Sequence, residues 1–491
     1  MLEQLPALII VIPLLAAACC AINRSEPFCW FVALLASVLV FVGSCSLLIQ
    51  VNAEGSISYA LGGWEAPAGI EYRVDVLAAY LLTMVSLIAA AVLVYGRLSV
   101  RTEISKDNQG WFYAMYLLCA CGLMGMVITG DAFNAFVFME ISSLSMYTLI
   151  AIGNDKRALL ASYQYLIMGT IGATMYIIGV GFLFTVTGTL NLVDMSARLQ
   201  PLLGSAPVMA GMAFIVVGLS LKIALFPLHF WLPNAYSYAP SVTTILVAAT
   251  ATKVSIYLLL RYLFSVFGLS FGLQYDPLAL IIMTLSVVAI FVGSLNAIFE
   301  DNIKRMLAFS SVAQIGYITL GVSLFNFNGL VSSLVHIFNH ALIKASLFML
   351  LGGIALQVGK VSLRELGGIG RKMPITMAAF SIGGLSLLGV PGTVGFITKW
   401  YLLRGAMDNE WWWLVILVLL SSLLVLIYIG KIIEVAYFRE TSATCMNLKD
   451  PPLSMLSVSV LFAFLCVYFG FDTTATVGIA TQAVESLIVA P

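Results

Sequence analysis

Charged residues are scarce in this sequence. Aspartate, glutamate, lysine and arginine make up 9% of its 491 residues, whereas hydrophobic residues make up 61%. A soluble domain of average composition is about a quarter charged, so a water-soluble fold could not cover this much apolar sequence. The net charge of zero gives no indication of a nucleic-acid partner. The composition therefore predicts a protein that lies in a lipid bilayer.

Long polar segments are also missing. No segment between the apolar runs could hold a nucleotide-binding or redox domain, so energy other than an ion gradient would have to come from a partner. The first run lacks the basic region and cleavage site of a cleaved signal peptide, and we expect it to remain as a span. Crossing a bilayer takes roughly 20 apolar residues, and about fourteen such runs are present. They are approximately 5–22, 28–51, 74–96, 110–129, 131–152, 162–187, 206–230, 238–264, 275–299, 306–325, 329–356, 374–402, 411–438 and 453–471.

The eight cysteines lack the spacing of a metal site or a disulfide framework. All but one lie in or beside apolar runs, and Cys445 is alone in a loop. Cys119 and Cys121 are two residues apart, so on one helix they point to different faces. We expect buried, unreactive thiols, no bound metal and no cofactor.

Basic residues divide unequally between the two sets of alternating loops. One set holds fourteen of them, or fifteen with Lys431 at a helix end, and the other set holds four. Because cytoplasmic loops carry an excess of lysine and arginine, we expect the first set to face the cytoplasm and both termini to lie outside a bacterial inner membrane. The fourteen are Arg24, Arg97, Arg101, Lys106, Lys156, Arg157, Lys304, Arg305, Lys360, Arg364, Arg371, Lys372, Arg439 and Lys449.

Four lysines and one glutamate interrupt predicted spans. A charge at mid-bilayer costs about 3 kcal/mol on insertion scales, so such residues persist where they face a polar interior and either pair or titrate. A lysine with a movable acidic neighbour is a proton site that can be switched. The alternative is that each lysine reaches an interface or makes a static ion pair, which is harder to reconcile with four of them. These residues are Lys222, Lys253, Lys344, Lys399 and Glu140.

All three histidines lie in or beside a lysine-bearing span. His336, His340 and Lys344 follow one another at steps of four, so they lie along one face of one helix. Histidine titrates near neutrality and can both accept and donate a proton. Metal binding is a weaker interpretation, because no cysteine or carboxylate at ligand spacing accompanies the ladder. We treat His229 and Lys431 as accessory candidates.

Helix breakers interrupt two of the lysine-bearing spans. Lys222 precedes Pro227 and Pro233, and Lys399 follows a glycine- and proline-containing segment at 389–392. Proline removes a backbone hydrogen bond, which a membrane tolerates only where the freed groups are buried in protein or meet water. Broken helices at corresponding positions of two halves are the sequence sign of an ion path in transporters.

Two stretches of sequence are similar at an offset of 171 residues, GTLNLVDM at Gly188–Met195 and GKVSLREL at Gly359–Leu366, and each closes a long helix. With small gaps, Lys222 then corresponds to Lys399. Each repeat has five helices. Because five is an odd number, the second repeat would begin on the opposite side of the membrane and so be inverted relative to the first. We therefore predict an all-α polytopic membrane protein with two inverted five-helix repeats, in which helices 7 and 12 are broken. The predicted units are 1–109 (helices 1–3), 110–265 (helices 4–8), 266–440 (helices 9–13) and 441–491 (helix 14 and the C-terminal tail).

Two segments resemble signatures of a known family, the proton-conducting antiporter-like subunits. The first is Lys222–Tyr236 (KIALFPLHFWLPNAY), followed by Ala239 and Pro240, and the second is His336–Lys344 (HIFNHALIK). The family includes the large membrane subunits of respiratory complex I, of membrane-bound hydrogenases and of Mrp-type multisubunit cation/proton antiporters. The resemblance extends over essentially the whole chain.

The resemblance implies a proton pathway. Protons would enter near Lys253 and cross through His340 and Lys344. They would leave by way of Lys399. The pair formed by Glu140 and Lys222 would open and close, and so raise or lower the proton affinity of the lysines. The residues implied are Glu140, Lys222, Lys253, His336, His340, Lys344 and Lys399.

Within this family, the outer-loop stretch LGGWEAPAGI at Leu61–Ile70 resembles the D-type component of Mrp antiporters most. This resemblance implies a non-enzymatic transporter subunit that exchanges protons for Na⁺ or another monovalent cation. Its partners would be the A, B, C, E, F and G types of antiporter component. The alternative is a proton-pumping membrane subunit of a complex I-like NADH-quinone oxidoreductase or a membrane-bound hydrogenase. The sequence does not separate these, because redox centres would lie in a partner. No dense carboxylate cluster marks a place where Na⁺ would cross.

Overall fold

The computed structural model describes residues 4–269, 276–359 and 361–489. Lys360, which the charge pattern assigns to a cytoplasmic loop, lies outside the described residues. Eighteen helices account for most of the described chain. They are α1 (Leu5–Ile22), α2 (Glu26–Glu54), α3 (Val76–Glu103), α4 (Gln109–Ile128), α5 (Ala132–Ala151), α6 (Arg157–Thr187), α7 (Leu192–Leu199), α8 (Ala206–Ile223), α9 (Trp231–Tyr238), α10 (Ser241–Leu260), α11 (Asp276–Phe299), α12 (Ile303–Ser323), α13 (Phe327–Val358), α14 (Pro374–Leu388), α15 (Val394–Asp408), α16 (Trp412–Phe438), α17 (Leu453–Phe471) and α18 (Thr474–Val489).

Most of these helices are built to span a bilayer. Within the described ranges, thirteen are long and apolar enough to cross a membrane. The remaining predicted span, 374–402, is present as the two shorter helices α14 and α15. The prediction of an all-α polytopic membrane protein is therefore confirmed.

Three elements are not expected from hydropathy. Helix α7 is short, and the side-chain oxygen of Asn191 caps it by accepting from the amides of Val193 and Asp194, each at 3.0 Å. Helix α18 occupies much of the predicted C-terminal tail. Strands β1 (Ile57–Ala60) and β2 (Glu71–Val74) form an antiparallel hairpin in the loop after α2. These elements cover the end of the bundle at which α2, α6 and α17 terminate.

The two predicted breaks are both present, and each begins with a left-handed residue. Ala224 follows α8 with a φ of 62°, and Gly389 follows α14 with a φ of 88°. The chain then resumes as α9 and α15. Glycine adopts this conformation freely, whereas the Cβ of an alanine makes it costly. A strained backbone at Ala224 is a feature that often accompanies a functional site.

A hydrogen-bond pattern recurs at opposite ends of the bundle. An isolated bridge joins Asp131 to Asn191 at the start of α5, and another joins Asn302 to Ser362 at the start of α12. Both partners of the second bridge lie 171 residues after those of the first. Each bridge is flanked by two backbone hydrogen bonds, both of 2.8 Å at the first bridge and of 3.0 and 2.9 Å at the second. Asp131 and Asn302 also cap their helices through the amide three residues later. This geometry favours an inverted repeat.

The centre of the bundle is formed by α10, α12 and α13. Every residue of α10 from Ser241 to Leu260 is buried, and α13 is buried from Gly329 to Ile354. Helices α2, α6, α11 and α16 instead present exposed apolar side chains to the outside. Polar side chains on α10 and α13 therefore lie in protein rather than in lipid. We call the end of the bundle that carries most basic loop residues the basic face, formed by 23–25, 104–108, 152–156, 239–240, 300–302, 361–373 and 439–452.

Candidate functional site

The predicted pathway residues are mostly in the interior of the bundle. Glu140 and Lys399 are only partly buried. The other five have at most 4% of their surface exposed, so they cannot reach an interface by extending along the lipid boundary. These five are Lys222, Lys253, His336, His340 and Lys344.

Lys222 and Glu140 form a loose ion pair. The Lys222 Nζ lies 3.8 Å from Glu140 Oε1, and it donates a hydrogen bond of 2.6 Å to the hydroxyl of Ser143. Glu140 Oε1 is buried without a hydrogen-bond partner, although 26% of that side chain is exposed. A neutral hydroxyl thus holds the ammonium group more closely than the carboxylate does. A change of the Glu140 rotamer would separate the two charges without breaking a hydrogen bond.

Lys222 and the ammonium of Lys399 both lie at the C-terminal end of a helix that stops at a break. Lys222 is in the last turn of α8. Lys399 is on α15 and reaches back to α14, where its Nζ donates at 2.6 Å to the carbonyl of Leu388. Carbonyls at a helix C-terminus carry partial negative charge and favour a nearby cation. The correspondence of Lys222 with Lys399 in the two repeats stays a prediction. Lys222 precedes its break and Lys399 follows its break, but the two occupy similar electrostatic positions.

Lys253 and Lys344 are held by neutral oxygens alone. Lys253 Nζ donates to the carbonyl of Ala248 on its own helix. Lys344 Nζ donates to the carbonyl of Leu307 at 2.7 Å and to the hydroxyl of Ser310 at 2.6 Å, both on α12. Among the described residues, no carboxylate forms an ion pair with either lysine.

The buried basic groups act on one another electrostatically. The charge of Lys253 acts on Lys344 and on His340, and the charge of Lys399 acts on His336. Like charges repel strongly where the dielectric constant is low. A proton on one group therefore disfavours a proton on the next, which is the property needed to pass a proton along a row.

The histidine ladder predicted from its spacing is present on α13. The rings of His336 and His340 stack with centroids 5.6 Å apart and an interplanar angle of 15°. His336 Nδ1 lies 3.2 Å from the hydroxyl of Thr398, the residue before Lys399. The other nitrogen of His336 and both nitrogens of His340 are buried without a protein partner. Buried unpaired polar atoms are costly and are often associated with water or with proton transfer.

Two tyrosines that the sequence does not single out connect α12 and α16 to the row. Lys399 Nζ lies 5.3 Å from the ring centroid of Tyr317. The ring centroid of His336 lies 6.3 Å from the same Tyr317 centroid. The Tyr317 hydroxyl bonds the Ser421 hydroxyl at 2.6 Å. The hydroxyl of Tyr428 is buried beside Ser310 and Tyr317 without a well-formed hydrogen bond. Tyrosine in an apolar helix is most often a packing residue, so only these contacts reveal its position.

The two accessory candidates lie apart from the row. His229 is in the break after α8, and its ring stacks on Phe226 and Phe230 at centroid distances of 5.4 and 5.0 Å. Lys431 Nζ donates at 2.7 Å to the carbonyl of Ile298, near the end of α11 at the basic face. In the described part of the chain, neither residue forms a hydrogen bond or a ring contact with the lysines of the row.

Comparison with known proteins identifies the family. Residues 129–425 match the family described as NADH:quinone oxidoreductase/Mrp antiporter, transmembrane. The N-type component of the NADH-quinone oxidoreductase of Desulforudis audaxviator is 41% identical over 442 residues, which cover 89% of this chain and 87% of that protein. The D-type component of the Na⁺/H⁺ antiporter of Alkalihalophilus pseudofirmus is 28% identical over 445 residues, which cover 91% and 89%. A chain of the membrane-bound sulfane sulfur reductase, an archaeal respiratory membrane complex, aligns with a TM-score of 0.90 and 29% identity over 99% of this chain and 98% of that one. This chain therefore belongs to the NADH:quinone oxidoreductase/Mrp antiporter transmembrane family.

Proposed function

We propose that this protein is the proton-translocating subunit of a multisubunit complex that exchanges protons for a monovalent cation, Na⁺ in the first instance. The observation that supports this proposal is the row of buried basic groups from Lys253 on α10, through His340 and Lys344 on α13, to Lys399 on α15. The lysines of this row are held by neutral oxygens, so each can lose its proton without leaving a buried carboxylate unpaired.

The proposed mechanism uses two inverted repeats, residues 110–265 and 266–440, that meet at α13. Lys253 takes a proton, His340 and Lys344 carry it across the centre, and Lys399 releases it. When Glu140 moves away from Lys222, the unpaired ammonium of Lys222 repels protons on the neighbouring groups and moves them forward. The recurring bridges at Asn191 and Ser362 support this division.

The antiporter complex is supported by the likeness to the D-type antiporter component over nearly the whole chain and by the Leu61–Ile70 stretch. In such a complex the partners would be the A, B, C, E, F and G types of antiporter component. The excess of basic residues on one face supports a bacterial cytoplasmic membrane with the basic face inside and both termini outside.

A second candidate function is favoured by a specific observation. The 41% identity to the N-type component of an NADH-quinone oxidoreductase exceeds the 28% identity to the antiporter component. In that case redox chemistry in a partner would drive the same lysine row, and this chain would be a translocase subunit without a redox centre of its own.

The core of the proposal is tested with Glu140→Gln and Lys222→Met in membrane vesicles that contain the whole complex. We expect each substitution to lower cation-dependent proton exchange by about tenfold or more, because a pair of charges that are switched together loses its function when either charge is removed. Glu434→Gln is the matched control, since Glu434 pairs with Arg439 at an exposed position of the basic face. Wild-type exchange by Glu140→Gln would refute the proposed pair.

The two candidate complexes differ in what drives proton movement. An antiporter acidifies or alkalinises vesicles when Na⁺ alone is added, whereas a redox-driven pump needs an electron donor such as NADH or reduced ferredoxin. We expect Na⁺-dependent proton exchange without any donor. Proton movement that requires a donor, together with copurification of iron–sulfur subunits, would favour the second candidate.

A further inference from the structure

A polar cavity opens at the basic face, and none of the residues that line it belongs to the predicted pathway. Its volume of about 360 Å³ has room for several water molecules, since each takes about 30 Å³ in the liquid. It lies between the end of α3, the loop after α5, the start of α10 and the start of α12. The charged side chains that line it are Glu103, Asp155, Arg157 and Lys304.

Glu103 and Lys304 are joined by one serine but do not pair with each other. The amide of Ser241, the first residue of α10, donates to Glu103 Oε2 at 2.7 Å. Lys304 Nζ donates to the Ser241 hydroxyl at 3.2 Å. No carboxylate of the described chain forms an ion pair with Lys304, although the charges of Glu103 and Asp155 both act on it. An acid and a base thus line the same polar cavity, and their charges are not neutralised by a direct contact between them.

One residue that lines this cavity lies on the helix that holds the central lysine. Lys304 precedes Leu307 by three residues on α12, and the carbonyl of Leu307 accepts the hydrogen bond of Lys344. Three residues on an α-helix are almost one turn and rise about 4.5 Å. Lys304 is therefore part of the turn of α12 that holds the ammonium of Lys344, and its side chain lines the cavity.

We propose that this cavity, which we call the basic-face vestibule, is the proton-uptake site of the pathway, with hydronium as its ligand. This inference rests on the lysine row of the proposed function. It adds the place where protons leave bulk water, and it moves the point at which they enter the row from Lys253 to Lys344. The carboxylate of Glu103 takes a proton from hydronium in the vestibule, which leaves water, and then gives that proton to a water beside Lys304. The ammonium of Lys304 gives one proton, through water, to the neutral amine of Lys344 and takes a replacement from the protonated water chain. Each step moves one proton and changes no other bond.

Lys304 also has a simpler interpretation, as one more basic residue that fixes the orientation of the chain. The two interpretations differ in what happens when the charge is removed after folding and orientation are complete. If Lys304 only fixes orientation, transport should not depend on whether the vestibule is accessible from the basic face. If Lys304 takes part in proton uptake, it should.

The first test uses Lys304→Met and Glu103→Gln in vesicles that contain the whole complex. We expect the exchange rate to fall about tenfold, and its dependence on the pH of the basic-face side to shift toward lower pH, because more hydronium is then needed to fill the row. The dependence on pH at the opposite side should not change. Lys156→Met and Asp301→Asn are matched controls, since both residues lie on the same face outside the vestibule. Normal rates and pH profiles in both test variants would overturn the proposal.

The second test acts on the assembled protein, so it stands even if Lys304→Met fails to assemble. Asn154 lines the vestibule and is exposed, and Asn154→Cys offers a thiol at its mouth. A membrane-impermeant cationic thiol reagent should block exchange when it is added at the basic face and not when it is added at the other face. Asn108→Cys, exposed on the same face, and the parent chain with its natural cysteines should stay active. Equal inhibition of Asn108→Cys, or no inhibition of Asn154→Cys, would overturn the vestibule.

Lys344→Met separates failure of the uptake site from failure of the proposed function. If Lys344→Met abolishes exchange while the vestibule variants exchange normally, only the uptake site is wrong. If Lys344→Met exchanges normally, the lysine row itself is wrong and the vestibule has no pathway to supply.

Discussion

The chemical partners of the buried lysines determine how easily each can change its charge. Lys253, Lys344 and Lys399 donate to carbonyls, and the last two also to serine hydroxyls. A hydroxyl that accepts from an ammonium can turn and donate to the neutral amine, so loss of the proton leaves no group unpaired. A carboxylate partner would be left as an isolated buried charge, at a cost of about 3–5 kcal/mol. The one lysine of the pathway with an acid, Lys222, has a partner that is partly exposed.

Tyr428 provides a residue-scale prediction. Its hydroxyl lies beside Ser310, which holds Lys344, and beside Tyr317, which contacts Lys399. We expect Tyr428→Phe to slow proton exchange about threefold to tenfold, because a polar atom between these groups is lost. Cation-dependent exchange in vesicles measures the effect.

The matched control for Tyr428→Phe is Tyr116→Phe. Tyr116 is also fully buried, and its hydroxyl donates at 2.8 Å to the carbonyl of Ala89, away from the row. Its loss should cost about 1 kcal/mol of stability and leave the exchange rate of the folded protein unchanged. Equal slowing by both substitutions would show that Tyr428 acts through packing.

Asp75 provides a second residue-scale prediction, on stability. Its carboxylate caps α3 through the Ala78 amide at 2.9 Å and pairs with Arg261. Burial would raise the pKa of Asp75, but the charge and hydrogen bond of Arg261 and the Ala78 amide outweigh it, so the pKa lies below its usual value. We expect Asp75→Asn to destabilise the protein by about 1–3 kcal/mol at neutral pH, measured as a lower apparent unfolding temperature in detergent.

The lowered pKa of Asp75 fixes the sign of the pH dependence. A carboxylate whose folded pKa is depressed stabilises the protein above its unfolded pKa, and that contribution is lost as the pH falls through the folded pKa. The difference between wild type and Asp75→Asn should therefore be constant above about pH 5 and shrink below about pH 4. Asp194→Asn, which removes the partner of the half-exposed Arg198, should cost under about 1 kcal/mol. If the difference in stability between wild type and Asp75→Asn grows as the pH falls, the lowered pKa of Asp75 would be contradicted.

At the scale of elements, the break between α14 and α15 depends on close backbone contact. A Cβ on Gly395 would lie 1.8 Å from the carbonyl oxygen of Ser386, so α15 could not stay against α14. We expect Gly395→Ala to move Lys399 away from the end of α14 and to reduce exchange at least tenfold. Gly430→Ala on α16, where a Cβ meets nothing within 4 Å, should be tolerated. The amount of assembled complex and the rate of proton exchange are measured for both variants. Wild-type exchange by Gly395→Ala would show that the break does not need this close backbone contact.

The helices themselves can be predicted because each is a long apolar run, and only length and hydropathy are needed to find one. Helix α18 is not evident because it has only 16 residues and carries threonine, glutamine, glutamate and serine. Helix α7 is not evident because its eight residues are too few for a span. The breaks are predictable from Pro227 and Gly389. The left-handed Ala224 is not, because nothing in an alanine indicates a positive φ.

The candidate site can be predicted from the sequence only where a single residue, or the spacing of a few residues, is unusual for an apolar helix. Buried lysines and the His336–His340–Lys344 spacing are visible in the sequence because charge in an apolar run is costly. Tyr317 and Lys304 are not visible in this way, since tyrosine is common in apolar helices and Lys304 lies among loop residues. Their positions depend on contacts of α12 and α13 with α10 and α16, and these two helices lie far from each other in the chain.

At the scale of the whole molecule, the two bridges at Asn191 and Ser362 tie loops at opposite ends of the bundle. The first bridge lies at the end that carries β1, β2 and α7, and the second lies at the basic face. If the basic face is cytoplasmic, one repeat is closed by its bridge on the outside and the other on the inside. An inverted pair of units closed at opposite ends is the arrangement that gives each unit access to a different side.

This arrangement makes a last prediction about orientation. Since fourteen spans are even in number, both termini should lie outside, opposite the basic face. A reporter that is active only outside the membrane, fused after residue 489, should be active, and the same reporter fused after Lys156 should be silent. A reporter that is active only in the cytoplasm should give the reverse pattern. If both fusions report the same side, the even count of spans is wrong. If the two sides are exchanged, the vestibule around Lys304 would face outside, and the proposed uptake of protons would become their release.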